Sequence, residues 1–565
     1  MATLPGHRGG AWEGDITISN DTSNGVGRRA VLGAALAAGA AIAAPALAQT
    51  PRAPARPPAG LGTGATPRKL FQTTETATGR VMGIANGPIW EFRGIPYGAP
   101  TGGRNRWMPP RPAAAWGGVR ECFAFGQICP QTQSDLRGEY GQLIMWDRHV
   151  GGMGEDCLVL NVWTPNTERS ARKPVFVSFH GGGFATGSGN GPGFDGKQLA
   201  LFADAVVVTI NHRLASFGYA NLVGAGAPAE FRYAGVCGAM DMVASLQWVR
   251  QNIEAFGGDP NRVMIFGQSG GGAKTSTVLA MPGAKGLFHS AAIQSGSALR
   301  LATPETSAQA TERLIKQLGL TRRNAADAQR LPWQQILEAQ TAVGANFSPV
   351  IGTDALPHHP FDPAAPPESH DVPIIVGTTL EDAALSLTNF DLTEDGLRAL
   401  LEQRYPGKGR DLVGLYRKYD PIATPYLIQA QAGGRRSAYT LATRKSQAGG
   451  APAYMFQWNW RTPAYDGKFG AVHGIDVSAS FHSYRDGFFN GTLEGKRMAD
   501  RFASAWSSFV RTGNPNNERL PPWQPYDDAR RAVMIFDDDT RVDFNPRAEI
   551  RAWWDANPPA PGPRG

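Results

Sequence analysis

The feature that most constrains this chain is Gly267-Gln268-Ser269-Gly270-Gly271-Gly272, set between the apolar run Val263–Phe266 and a helical pattern over Gly271–Ala280. A strand that turns into a helix around such a serine has few ways to fold. Side chains two residues either side of the serine would collide, so both are glycine. The serine takes a strained backbone conformation that holds Oγ out of the sheet, and the Gly270 amide can point at an oxyanion. The same letters fit a glycine-rich loop or an anion site; the strand before and the helix after favour a nucleophile.

A second glycine run follows another strand. PVFVSF (Pro174–Phe179) leads into His180-Gly181-Gly182-Gly183-Phe184. Glycine alone lets bare amides line up around a developing negative charge. Gly182, Gly183 and Gly270 are therefore the expected oxyanion donors, each worth about 2.7–4 kcal/mol to a transition state. His180, heading the run, reads as a structural hydrogen-bonder.

Between and beyond these runs, short β-branched segments alternate with helical patterns. Strands are expected at Pro174–Phe179, Ala205–Ile210, Val263–Phe266, Ala291–Gln294, Pro373–Val376 and Ala453–Trp458. Helices are expected at Gly238–Phe256, Gly271–Ala280, Glu305–Leu318 and Lys496–Arg511. The alternation predicts an α/β fold with a mostly parallel sheet, whose chemistry sits at the carboxyl ends of the strands.

A nucleophilic serine needs a base near neutral pKa, and histidine supplies it. Of ten histidines, His473 lies in FGAVHGID, a glycine-bounded loop after the strand AYMFQW. His358-His359, between prolines, read as loop residues, and no HExxH or other metal motif is present. The third member must be a carboxylate that fixes the imidazole tautomer. The strand PIIVG is followed by Thr378-Thr379-Leu380-Glu381-Asp382-Ala383-Ala384, so either Glu381 or Asp382 can serve. Both give the chain order Ser…acid…His of α/β-hydrolases.

Several segments together resemble type B carboxylesterases, the carboxylesterase/cholinesterase/lipase branch of the α/β-hydrolases. FRGIPYGAP (Phe92–Pro100) with RWMPP, EDCLVLNVW (Glu155–Trp163), NHRLASFGY, GAMDMVASLQWVRQNIEAFGGDPNRV, FGQSGGG, AAIQSGS, GAVHG and FVRTGNPN follow in family order over roughly residues 70–556. The resemblance implies an α/β-hydrolase that cleaves carboxylic esters through an acyl-enzyme without metal or organic cofactor. It carries Ser269 onto the nucleophile and His473 onto the base. The family's G-x-x-x-D-E-G acid motif, counted from Gly377, lands on Asp382; the Asp-Glu order is swapped, Ala383 replaces the glycine, and Glu381 is the alternative. Gly270 stands where alanine is common, keeping the N–H while loosening the elbow. Gln268 replaces a common glutamate. The resemblance also implies a Cys129–Cys157 disulfide, with Cys122 and Cys237 free.

At the N-terminus, Arg28-Arg29 precede the uncharged Ala30–Ala48, which closes on Ala46-Leu47-Ala48. Residues 1–48 thus read as a twin-arginine-type export signal cleaved after Ala48, giving a periplasmic or secreted protein. Residues 49–69, rich in Pro and Ala, read as a linker, 70–556 as the catalytic body and 557–565 as a flexible tail. No later stretch is long and apolar enough to span a membrane. A net charge of +7 over 565 residues, with no basic run, argues against a nucleic-acid partner. Four cysteines cannot form the framework of a disulfide scaffold.

The remaining alternatives are carbamate, amide or acylglycerol hydrolysis, and a non-catalytic binding module of the same fold. The segment 130–154, where a lipase would carry an apolar lid, is only patchily apolar. The expected partner is a small-molecule ester; neither the ester nor an oligomeric state is set by the sequence.

Overall fold

The computed structural model describes residues 69–132, 138–145, 150–432, 436–485 and 487–557. The expected export signal at 1–48, nearly all of the expected linker at 49–69 and all but the first residue of the expected tail at 557–565 lie outside them.

Thirteen strands form one sheet. They are β1 (Phe71–Thr76), β2 (Gly79–Asn86), β3 (Ile89–Pro96), β4 (Val119–Glu121), β5 (Val159–Thr164), β6 (Lys173–Phe179) and β7 (Val206–Ile210), then β8 (Gly258–Gln268), β9 (Ser290–Gln294), β10 (Ile374–Thr379), β11 (Ala453–Trp458), β12 (Ala532–Phe536) and β13 (Arg541–Phe544). The order is β1-β2-β3-β5-β7-β6-β8-β9-β10-β11-β12-β13, with β4 on β2. From β7 to β12 every pairing is parallel; the pairings at the two ends of the order are antiparallel.

The central strands read as unbroken apolar runs because both faces are covered. Alternation then sorts their side chains. Val175, Val177, Val263 and Ile265 enter the core on one face, where Met242, Leu246 and Val249 of the helix Cys237–Asn252 pack. Phe176, Met264 and Phe266 enter the core on the other face, against Phe502, Trp506 and Phe509 of the helix Leu493–Thr512. Trp458 and Trp460, beside the base loop, belong to this second core.

Two buried ion pairs join segments distant in sequence. Arg106 meets Glu155 with two hydrogen bonds of 2.6 Å. Arg213 meets Asp241 at 2.8 and 2.6 Å, both side chains almost wholly buried. Removing one partner of such a pair costs about 3–5 kcal/mol, because the other charge is left buried alone. The second pair ties the loop after β7 to the helix Cys237–Asn252.

The expected Cys129–Cys157 bond is absent: all four cysteines are buried thiols. Cys157 instead shares a hydrogen bond with Cys129, and that bond, together with burial, pushes its thiol well above the ordinary range.

Candidate active site

The carboxyl ends of β6, β8, β9, β10 and β11 converge on one edge of the sheet. β8 ends at Gln268, and Ser269 follows with φ 59° and ψ −123° before the helix Gly270–Val278. Non-glycine residues avoid this region at a cost of about 1–3 kcal/mol, so the strain marks a held position. The Ser269 amide is fixed by donating to Gln294 O at 2.8 Å. A Cβ on Gly267 would sit 2.4 Å from Phe179 O, and one on Gly271 2.1 Å from the same oxygen. The expected collision is thus with the end of β6 as well as within the turn.

The glycine run after β6 lies directly against this elbow. A Cβ on Gly270 would fall 2.3 Å from both N and O of Gly183. The sequence suggested that glycine here loosens the elbow; the structure shows it admitting Gly183 closer than alanine would allow. Gly182 and Gly183 have φ of 82° and 62°. The Gly182 carbonyl accepts from the Thr186 amide at 3.0 Å, which closes the turn. The amides of Gly182 and Gly183 take no hydrogen bond among the described residues. The Gly270 amide opens a helix, where amides have no intrahelical acceptor.

One contributor on this side escaped the sequence reading. Lys274, fully buried on the elbow helix, donates to His180 O at 2.7 Å and reaches Gly181 O at 3.4 Å. It ties the serine's helix to the start of the glycine run, and burial drives its amine well below the ordinary range. His180 stacks on His212 with ring centres 5.0 Å apart. A lysine inside GGGAKTSTV, otherwise small and apolar or hydroxylic, was the available signal.

On the other side, His473 Nδ1 lies 2.9 Å from Asp382 Oδ1. Thr379 Oγ1 donates to the same oxygen at 3.0 Å, and Ser295, next to Gln294, also bonds Asp382. Burial would raise the Asp382 carboxyl, but the His473 charge and these hydrogen bonds hold it below its ordinary value. Burial would lower the imidazole, but the charge and hydrogen bond of Asp382, aided by Asp476, raise it. Tyr140 donates to His473 O at 2.8 Å, so the short helix Glu139–Ile144 steadies the base loop.

Glu381 points elsewhere. Fully buried, it accepts from Gln431 Nε2, Arg461 Nη2 and the Ala471 amide, each at 2.8 Å. Its own amide donates to Ala471 O at 3.1 Å. The two adjacent carboxylates therefore divide the work: Asp382 faces the imidazole, and Glu381 pins the acid loop to the base loop.

A further acid, Asp476, was not read from the sequence. It follows His473 by three residues, is fully buried, and accepts from Gln294 Nε2 at 3.0 Å. Burial pushes its carboxyl up to about 6, against the hydrogen bond from Gln294 and the charge of His473. No cluster of potential metal ligands occurs among the described residues. His359 accepts from the Leu301 amide and His358 lies near Glu368, a loop role as expected.

The chain matches the Carboxylesterase family over residues 71–418 and 436–554. Para-nitrobenzyl esterase of Bacillus subtilis is 31% identical, over 85% of this chain and 98% of that protein. Phenmedipham hydrolase of Pseudarthrobacter oxydans is 30% identical, over 82% and 94%. Among solved structures, a Geobacillus stearothermophilus carboxylesterase superimposes with a TM-score of 0.73 at 31% identity, covering 85% of this chain and 99% of its own.

Proposed function

The chain belongs to the carboxylesterase family and is a carboxylic ester hydrolase; on that premise we propose that Ser269, Asp382 and His473 are its catalytic triad. The observation that carries this reading is the 2.9 Å contact from His473 Nδ1 to Asp382, opposite a strained serine. With Nδ1 held by the carboxylate, Nε2 is the nitrogen left to take the Ser269 proton. Ser269 Oγ attacks the ester carbonyl, and the tetrahedral oxyanion rests on the amides of Gly182, Gly183 and Gly270. The C–O bond to the alcohol breaks, and His473 returns the proton to the leaving oxygen. Water repeats both steps on the acyl-enzyme, releasing the acid.

Turnover of p-nitrophenyl butyrate by the mature chain, with Ser269→Ala beside it, tests this reading. Wild type is expected to turn over and the variant to fall by at least three orders of magnitude. A folded Ser269→Ala protein that keeps its turnover would sink the assignment.

The reading extends to the compartment. Residues 1–48 direct export, and in an oxidising compartment the touching thiols of Cys129 and Cys157 close into a bond. The intact mass of the exported protein checks both: it should begin at Gln49 and lack two hydrogens. A mass retaining residues 1–48 would remove the export claim, and four titratable thiols the disulfide.

A further inference from the structure

We propose that a cavity outside the candidate active site is a binding site for a small aromatic carboxylate. It holds about 330 Å³ and lies between the helices Arg436–Gln447 and Ala548–Ala556 and the loop ahead of β12. That volume is at the small end for ligand cavities, suited to a single-ring molecule. None of its lining residues is one of the triad or oxyanion residues.

Charge sets the first half of the ligand. Five arginines and two aspartates line the cavity. Arg531 is paired with Asp528 at 2.6 Å, whereas Arg436, 3.8 Å from an exposed Asp555, is held only loosely and remains a second donor to the cavity. Arg444 is drawn 2.9 Å from Asp362, outside the cavity. Arg551 has no carboxylate within ion-pair range among the described residues; its Nη2 meets the neutral amide of Asn545. Its Nη1 is buried without a hydrogen-bond partner among them. Burial and the neighbouring Arg531 charge both oppose its guanidinium, holding it below its ordinary value. A buried donor left unmade costs about 1–3 kcal/mol, more when charged, and one carboxylate satisfies donor and charge together.

The aromatic walls set the other half. Tyr439 and Tyr526 meet edge-on, with ring centres 6.4 Å apart and planes at 62°, and Trp554 completes the lining. The Arg551 guanidinium sits 5.7 Å over the Tyr439 ring, so the charged end and the aromatic end of the cavity are contiguous. Rings prefer edge or offset contact with such walls. Arg547 donates to the neutral amide oxygen of Gln431 at 2.6 Å, so the lining arginines exceed the carboxylates, the unmade donor of Arg551 calls for an anion, and the walls call for a ring on it. Carboxylates are also the acid products of the reaction class this family performs, although the site does not depend on that reading.

Isothermal titration calorimetry of the mature chain, with Ser269 first blocked by a phosphonate, tests this. Benzoate is the probe, benzamide its neutral counterpart and inorganic phosphate the anion without a ring. We expect one saturable benzoate site, weakened at least tenfold by Arg551→Gln and by Arg436→Gln, with benzamide silent and phosphate at least tenfold weaker. Both variants should retain p-nitrophenyl butyrate turnover before blocking. If Arg551→Gln does not fold, Arg436→Gln reads the site alone. No saturable heat, wild-type affinity in the folded variants, or phosphate binding as well as benzoate would each overturn the proposal. Failure of the phosphonate to react would instead count against Ser269, and the arginine variants would still locate benzoate in the unblocked chain.

Discussion

The two halves of the candidate site are built from different material. On the oxyanion side the working groups are backbone amides, placed by glycine; the buried amine of Lys274 acts on carbonyls behind them. On the base side the working groups are side chains, placed by other charges: Asp382 on His473, Glu381 on Arg461 and Gln431, and Asp476 behind Gln294. Amides carry no titratable proton, so the first half should respond to geometry and hardly to pH. The second half should respond to both.

The largest expected effect separates the adjacent carboxylates. Asp382→Asn should lower turnover by about four orders of magnitude, because an amide facing Nδ1 favours the wrong tautomer and cannot stabilise the imidazolium. Its fold should survive, since an amide still accepts from Thr379. Glu381→Gln should do the reverse. It leaves Arg461 and the Ala471 amide with a weaker acceptor, so thermal stability should fall by several degrees. Turnover per folded molecule should stay within about tenfold. Steady-state kinetics beside a melting curve reads both. A Glu381→Gln protein that is stable but dead, with Asp382→Asn active, would exchange the two roles.

On the oxyanion side, Gly270→Ala should act through distance alone. The new methyl would sit 2.3 Å from Gly183 N and O, so the glycine run must retreat by roughly an ångström to restore ordinary contact. Loss of one aligned donor costs about 10²–10³ in kcat, and partial retreat should cost about tenfold to a hundredfold. Lys274→Met should give a smaller loss of the same kind, by releasing the carbonyls of His180 and Gly181. In neither variant should the pH profile change shape. A displaced profile would break the distinction between the halves.

What could be read in the sequence follows the same division. The elbow and the glycine run were legible because a backbone with positive φ or too-close neighbours demands glycine locally. The parallel sheet was legible because strands buried on both faces are apolar throughout. β8 begins at Gly258 instead of Val263 because Gly258-Asp259-Pro260-Asn261-Arg262 reads as a turn, yet its first residue pairs with Lys173 across a register shift. The charged groups were the hard part. Glu381 and Asp382 look alike in a string, and only the facing of their side chains tells them apart. Lys274, Asp476 and Arg461 carry charge, which in a sequence suggests solvent; burial beside a partner distant in the chain is a property of the fold.

The smallest and most discriminating effect belongs to Asp476. It acts on His473 through charge. The imidazole must be neutral to act as a base, so kcat/KM rises with pH through the His473 pKa. Above about pH 6 Asp476 is ionised and holds that pKa up. Asp476→Asn removes the charge while leaving an acceptor for Gln294, so the His473 pKa should fall. The acid limb of the profile should then move to lower pH by a few tenths of a unit to about one unit, the range expected of a partly screened buried neighbour. On the alkaline plateau, where the base is neutral in either protein, kcat/KM should differ by less than about threefold. A structural role would instead lower the whole profile without moving its midpoint. An unmoved acid limb would mean that Asp476 is protonated throughout and that the base side rests on Asp382 alone.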